Sequence, residues 1–221
     1  MSRLPRLALA GMPHYLLQQG VHGQPLAVDE VDERRLLAAL QEAATLHRVQ
    51  LWGYALLPQA LHLVARPEEA DGLSRMMQTL GRRYVVAFNR RHGRTGALWA
   101  SRFRAALVEP GEWLLLALAR VDRLALEAGT PGSAPHHLGQ HRDPLLADPP
   151  AFWALGNTPF ERESAWQRRL DLGTDVREAE LARAVQGAWA AGSPAFVADV
   201  AARLGRPTAP RRPGRPAKGG S

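Results

Sequence analysis

The 221-residue chain has no cysteine, and Lys218 is its one lysine among 28 basic residues. The missing thiols exclude a disulfide framework, a thiolate zinc centre and a cysteine nucleophile. No stretch comes near the ~18 uncharged apolar residues that a spanning helix needs, so no membrane segment is expected. The N-terminal run LALAGM is too short for a secretory signal, and a cytoplasmic location is the expectation. Tyrosine is scarce, and none follows Tyr84. Acidic residues are missing altogether between Ser74 and Val108, a span that holds eight arginines.

What is present is enough for a core. Apolar residues make up 46% of the chain, which rules out wholesale disorder. Basic residues exceed acidic ones by 28 − 21, a formal charge of +7. The near-exclusive use of arginine, with much alanine, leucine, glycine and proline, is also what biased coding DNA produces. Net charge alone therefore says little, and the position of the arginines says more.

Residues 12–19 read as a strand. Asp29 to His47 read as an amphipathic helix, with acids in its first turns where the helix dipole favours them. The β-forming run VQLWGYALL (49–57), a break at Pro58 and Gln59, and ALHLVAR (60–66) predict a hairpin. Alternation along that second strand puts His62 on the face shared with Ala60 and Val64. Residues 71–92 predict a second helix, 103–109 a strand, and 112–128 a third helix opened by Pro110-Gly111. This order predicts an α+β fold, a ferredoxin-like antiparallel sheet with helices on one face. A loop rich in proline, glycine and histidine follows, then short helices near 149–155, 159–172 and 177–204. The expected organisation is a first domain over 5–130, a small helical C-terminal region over 131–205, and a basic disordered tail over 206–221.

The acid-free segment carries Arg75, Arg82, Arg83, Arg90, Arg91, Arg94, Arg102 and Arg104, interleaved with Tyr84, Phe88, His92, Trp99 and Phe103. Guanidinium groups pair with phosphates, and aromatic rings stack on exposed bases. Tyr84 and Phe88, four apart on a helix, fit a core role equally. The candidate nucleic-acid contacts here are the eight arginines, His92 and Trp99. In the tail, Arg211, Arg212 and Arg215 join them. There Arg212-Pro213-Gly214-Arg215-Pro216 is close to a minor-groove hook, although Pro213 interrupts it.

The strings LWGYALLPQALHLVARP, LSRMMQTLGRRYVVAFNRRHGRTGALWASRF and LLLALARVDRL resemble the REP-associated tyrosine transposases, a branch of the single-strand HUH transposases. The block from Phe88 to Trp99, with Arg102-Phe103 after it, is the most specific part. The likeness extends over about residues 5 to 216. It implies binding of single-stranded or hairpin DNA and a nicking-and-rejoining reaction. In that family two histidines, one apolar residue apart on a strand, hold Mg²⁺ or Mn²⁺. A tyrosine on the helix after the last core strand attacks the phosphate.

The sequence departs from the family at those positions. Ala60 stands at the first metal ligand, leaving His62 alone. Val121, after Arg120, stands at the nucleophile. The expectation is a DNA-binding protein of transposase lineage without nicking activity, needing no cofactor. The alternative is an active enzyme with relocated groups, Tyr84 as nucleophile or His14 as second ligand, using Mg²⁺ or Mn²⁺.

Overall fold

A computed structural model of the chain describes residues 7–205 and 207–209. Strand β1 (His14–Gln19) is followed by α1 (Glu30–Leu46), the hairpin β2 (Val49–Leu57) and β3 (Ala60–Pro67), and α2 (Gly72–Leu80). A π-helical stretch, Gly81–Val85, leads straight into α3 (Val86–Arg91). Then come β4 (Arg104–Val108), α4 (Glu112–Ala128), α5 (Ala134–His137), α6 (Pro150–Trp153) and α7 (Pro159–Asp171). The described chain closes with α8 (Glu178–Gly187), β5 (Ala190–Ala191) and α9 (Pro194–Leu204).

Local chemistry accounts for the main boundaries. Asp29 caps α1, its carboxylate accepting from the amides of Val31 and Asp32. α4 stops at Gly129, whose left-handed backbone, φ 62°, suits a residue without a β-carbon. Thr158 and Glu161 form a reciprocal capping box at the start of α7. The predicted helix 71–92 is continuous, but its π stretch shifts the face that follows and turns Tyr84 inward.

Among the described residues the strands form one sheet in the order β2-β3-β1-β4-β5. The first four pair antiparallel, while β5 runs parallel to β4. A bulge between Leu51 and Gly53 changes the alternation of β2, so that Leu51, Tyr54 and Leu56 share one face. A β-carbon on Gly53 would come within 2.8 Å of a Leu118 methyl, so glycine lets the strand approach α4.

The α+β class and the trailing helices agree with the sequence, but the layering does not. Helices cover both faces of the sheet, not one. α1, α2 and α3 pack on Leu16, Leu56, Leu61, Leu63 and Ala105. α4, α7 and α8 pack on Tyr15, Trp52, Ala55, Val64 and Ala106. Both sets of alternating strand residues are apolar, and each needs cover. The single helix expected over 177–204 is also two. Ala188 turns left-handed at φ 55°, β5 joins the sheet, and Ser193 caps a new helix with Pro194 in its first turn. Ordered chain continues into the span expected as a disordered tail, because Thr208 is buried and its carbonyl accepts from Ala190.

Candidate functional site

β3, β1 and β4 set His62, Leu17 and Arg104 side by side, since Leu17 lies opposite both of the others in the ladder. Their side chains line the face covered by α4. The Tyr15 hydroxyl lies 2.7 Å from His62 Nδ1, and the Arg120 guanidinium hydrogen-bonds the same hydroxyl. Arginine can only donate, so Tyr15 accepts from Arg120 and donates to a neutral imidazole. Burial, then the Arg120 charge, holds the His62 pKa down at about 4. Burial lifts Tyr15 to about 12, against the pull of Arg120. Val121 is fully buried in the apolar cluster on this face, and Ala60 packs against the same cluster.

The C-terminal region closes this face. Glu178 of α8 is buried and pairs with both Arg120, at 3.1 Å, and Arg123. Leu181, Ala184 and Val185 of the same helix enter the cluster that holds Val121. Arg104 donates to the Gln186 carbonyl at 2.7 Å.

The residues here do not fit a divalent metal. His62 has Tyr15 on its Nδ1 and a guanidinium beside it, and Ala60 supplies no donor atom. Among the described residues no group of three His, Cys, Asp or Glu side chains could hold an ion. His14 does not complete the set. It pairs with Ala65 and Leu107 in the ladder, out of phase with His62, and its Nδ1 is bonded to the Met12 carbonyl at 2.8 Å. Tyr84 lies among the α1–α3 side chains, across the sheet from His62, and donates to the Leu26 carbonyl at 2.6 Å.

The acid-free segment is not free of counter-charge in space. Arg75 pairs with Glu69 and Asp71, and Arg83 with Glu42. Arg91 spans Asp29 and Asp32 at 2.7 and 2.6 Å, and His92 bonds Asp32 at 2.7 Å. The Arg91 guanidinium, foremost, holds the Asp29 carboxyl well below the usual carboxylate range. Arg94 bonds the Gln24 side chain and lies 5.5 Å over the Phe88 ring. Arg82, Arg90 and Arg102 remain exposed, and among the described residues their side chains make neither an ion pair nor a hydrogen bond. The aromatics belong to the interior: Tyr84, Phe88 and Phe103 are buried, and Trp99 is half-buried against Tyr84. Arg211, Arg212 and Arg215 lie outside the described residues.

One buried polar cluster was not anticipated. Asp122 of α4 accepts from the Ser133 hydroxyl, from Trp166 Nε1 at 2.8 Å and from His137 Nδ1 at 2.8 Å. His137 Nε2 faces the Trp52 carbonyl at 3.0 Å. Both ring nitrogens thus meet acceptors, which demands an imidazolium. Burial alone would lower the His137 pKa, but the Asp122 charge and hydrogen bond outweigh it and raise it. Serine, histidine and aspartate converge here without forming a catalytic triad, because Ser133 and His137 both bond Asp122 and all three are sealed from solvent. The cluster ties α4, β2, α5 and α7 together.

The architecture is a mixed sheet between two helical layers, with His62 on an inner strand facing the long helix α4. Among solved structures, a REP-associated tyrosine transposase bound to a REP hairpin superposes with a TM-score of 0.53 at 12% identity, over 68% of this chain and 93% of that one. The chain therefore has the fold of a REP-associated tyrosine transposase. A proposed transposase from Deinococcus radiodurans gives a TM-score of 0.38 at 21% identity, over 49% of this chain and 88% of that one. No family model and no curated protein matches the sequence.

Proposed function

We propose that this chain is a DNA-binding protein of transposase descent that grips hairpin or single-stranded DNA in the cytoplasm without nicking it. The observation that carries this reading is the set Arg82, Arg90 and Arg102, exposed and unmatched by any acid among the described residues, on a transposase fold. Cations left without internal partners are available to phosphates, and their attraction to DNA weakens with salt. Arg75, Arg83, Arg91, His92 and Arg94 can join only by exchanging their present partners for phosphate. Trp99 contributes from its half-buried position, and Arg211, Arg212 and Arg215, which lie outside the described residues, add positive charge to the chain.

The reading without cleavage rests on the His62 face. A nucleophile must reach the scissile phosphorus, and its position holds Val121, a buried isopropyl group. Arg120 occupies the space beside His62 with a positive charge of its own. No metal cofactor is needed for the proposed role. Hairpin DNA with single-stranded flanks, labelled at either end, tests both halves. The expected result is a mobility shift that weakens steeply between 50 and 200 mM salt, on the order of the behaviour of other multi-phosphate binders, and no covalent adduct with Mn²⁺. An adduct resistant to denaturation would overturn the second half, and no binding at low salt would overturn the first.

A further inference from the structure

The histidine-rich segment after α5 folds back against α6 and the start of α7, enclosing a cavity of about 450 Å³. That volume lies within the range of about 300–1,000 Å³ typical of small-ligand sites. Its polar groups divide into satisfied and unsatisfied ones. His136 is fully engaged: Nδ1 accepts from the Asp143 amide at 3.1 Å, and Nε2 bonds Asp148 at 3.2 Å.

Arg162 is not satisfied. It is only 9% exposed, yet its one hydrogen bond runs from Nη1 to the Gly156 carbonyl at 3.1 Å. The guanidinium lies 4.2 Å over the Trp153 ring, and no carboxylate pairs with it. Among the described residues its other N–H groups have no acceptor, and they are not sealed from solvent, which leaves these donors available to a ligand. The next residue, Glu163, is half-buried, lines the same cavity and has no hydrogen bond or ion pair among the described residues. A β-carbon at residue 139 would overlap its carboxyl group, so Gly139, at φ 69°, makes the room for it. Successive helical residues do not face one another, and Arg162 and Glu163 stay unpaired. Arg142 and His141 stand exposed and unpaired at the rim, and Trp153 keeps 52% of its surface open.

A simple anion entering this cavity would meet Glu163, and a simple cation would meet Arg162. The set is complementary to a ligand with an oxyanion at one end and paired N–H donors on a flat ring at the other. Phosphate matches guanidinium forks. A carboxylate accepting two parallel N–H groups matches the guanine edge, whose ring N–H and exocyclic amine are adjacent. Adenine offers one donor beside an acceptor. We infer that this cavity is a binding site for a guanine nucleotide, free or as an unpaired residue of a DNA strand. Glu163 accepts from the base, and Arg142 and Arg162 hold the phosphate. The inference is independent of the arginines on α2 and α3.

Titration calorimetry of the full chain with GMP, AMP and inorganic phosphate tests it, alongside hairpins carrying either an unpaired guanosine or an abasic residue. The expected result is a guanine preference of about tenfold or more, the scale of a charge-assisted hydrogen-bond pair, with inorganic phosphate alone binding far more weakly. Glu163→Gln removes the preference, and Arg142→Ala weakens guanine binding about tenfold. Both side chains are unpaired, so circular dichroism and the melting curve stay unchanged. Preference for GMP over AMP identifies a free nucleotide as ligand, and preference confined to the hairpin pair identifies the strand. Equal binding of guanine and its controls in both series, or an undiminished preference in Glu163→Gln, overturns the inference. Hairpin binding that ignores the guanosine leaves the proposed DNA-binding role standing.

Discussion

The His62 face and the segment from Arg82 to Arg102 differ in where their cations find partners. On the His62 face every arginine is used internally: Arg120 and Arg123 on Glu178, Arg104 on the Gln186 carbonyl. Along the other segment, Arg83 and Arg91 meet acids from distant parts of the chain, but Arg82, Arg90 and Arg102 meet none among the described residues. A face whose charges are neutralised from within behaves as interior, whatever it once bound. A surface that keeps unmatched cations leaves their donors open to solvent and to any anion in it. The comparison also shows why a count of arginines misleads, since burial and partner, not number, decide which can reach DNA.

The sharpest way to break the comparison is to open the closed face. Asp122→Ala leaves the His137 imidazolium, the Ser133 hydroxyl and the Trp166 N–H without their shared acceptor. Breaking a buried pair by removing one partner costs about 3–5 kcal/mol. Urea unfolding of the variant, followed by tryptophan fluorescence, measures it. A loss below about 1 kcal/mol, the scale of an exposed pair, would mean that the C-terminal helices close the face by apolar packing alone.

Proton linkage gives the next effect, with opposite signs for different histidines. His14 and His62 are held at about 4 by burial, below the usual 6.5. The unfolded chain therefore takes up protons first, so their contribution is complete above pH 6.5 and is lost as pH falls toward 4. The difference of 2.5 units is worth up to about 3 kcal/mol for each buried group at the acid end. His137 is raised above 6.5, so its contribution is complete below pH 6.5 and is lost as pH rises through its folded value. Stability measured from pH 4 to 9 is expected to fall on both sides of a maximum near neutrality. His62→Asn should make the acid limb shallower, with His14 still contributing, and leave the alkaline limb in place. If the acid limb keeps its slope in that variant, His62 is not held neutral as described.

The same comparison marks what the sequence could reveal. The order of elements through α4 was readable because periodicity and glycine or proline boundaries agree there. The second helical layer was readable in principle, since VQLWGYALL is apolar on both alternating sets, but the order of elements alone fits a one-sided sheet equally well. β5 is two residues long and has no pattern to detect. The break before α9 was marked by Pro194, while the left-handed turn at Ala188 carries no signal of its own. Ion pairs such as Arg83 with Glu42, or Arg91 with Asp29, join residues far apart in the chain, so an acid-free stretch of sequence is not an acid-free surface. Asp122 and His137 were hidden for the same reason.

On the open side, Arg82, Arg90 and Arg102 changed together to alanine should lower the salt dependence of DNA binding by about two to three ions, at 0.7–0.9 per phosphate contact. Affinity at low salt should fall by about ten- to a hundredfold, roughly equally for all DNA sequences. Arg83→Ala is the contrast, because that guanidinium already has Glu42. Anisotropy titrations at several salt concentrations separate the two. A larger loss for Arg83→Ala than for the triple variant would reverse the assignment of bound and free arginines.

The smallest effect tests whether the two sides of the sheet are chemically separate. Tyr84 is 2% exposed and donates to the Leu26 carbonyl, so Tyr84→Phe removes one buried hydrogen bond and costs about 1 kcal/mol. Burial also pushes its pKa upward, which keeps the phenol protonated and a poor nucleophile. Because the ring packs with Phe88 and Trp99 under α1 and α2, no phosphate held at His62 can reach its oxygen without crossing the sheet. Thermal melting of Tyr84→Phe should show the small loss, while DNA binding and the lack of a covalent adduct stay as in the parent chain. An adduct that forms with the parent and vanishes in Tyr84→Phe would join the two regions into one active site and undo their separation.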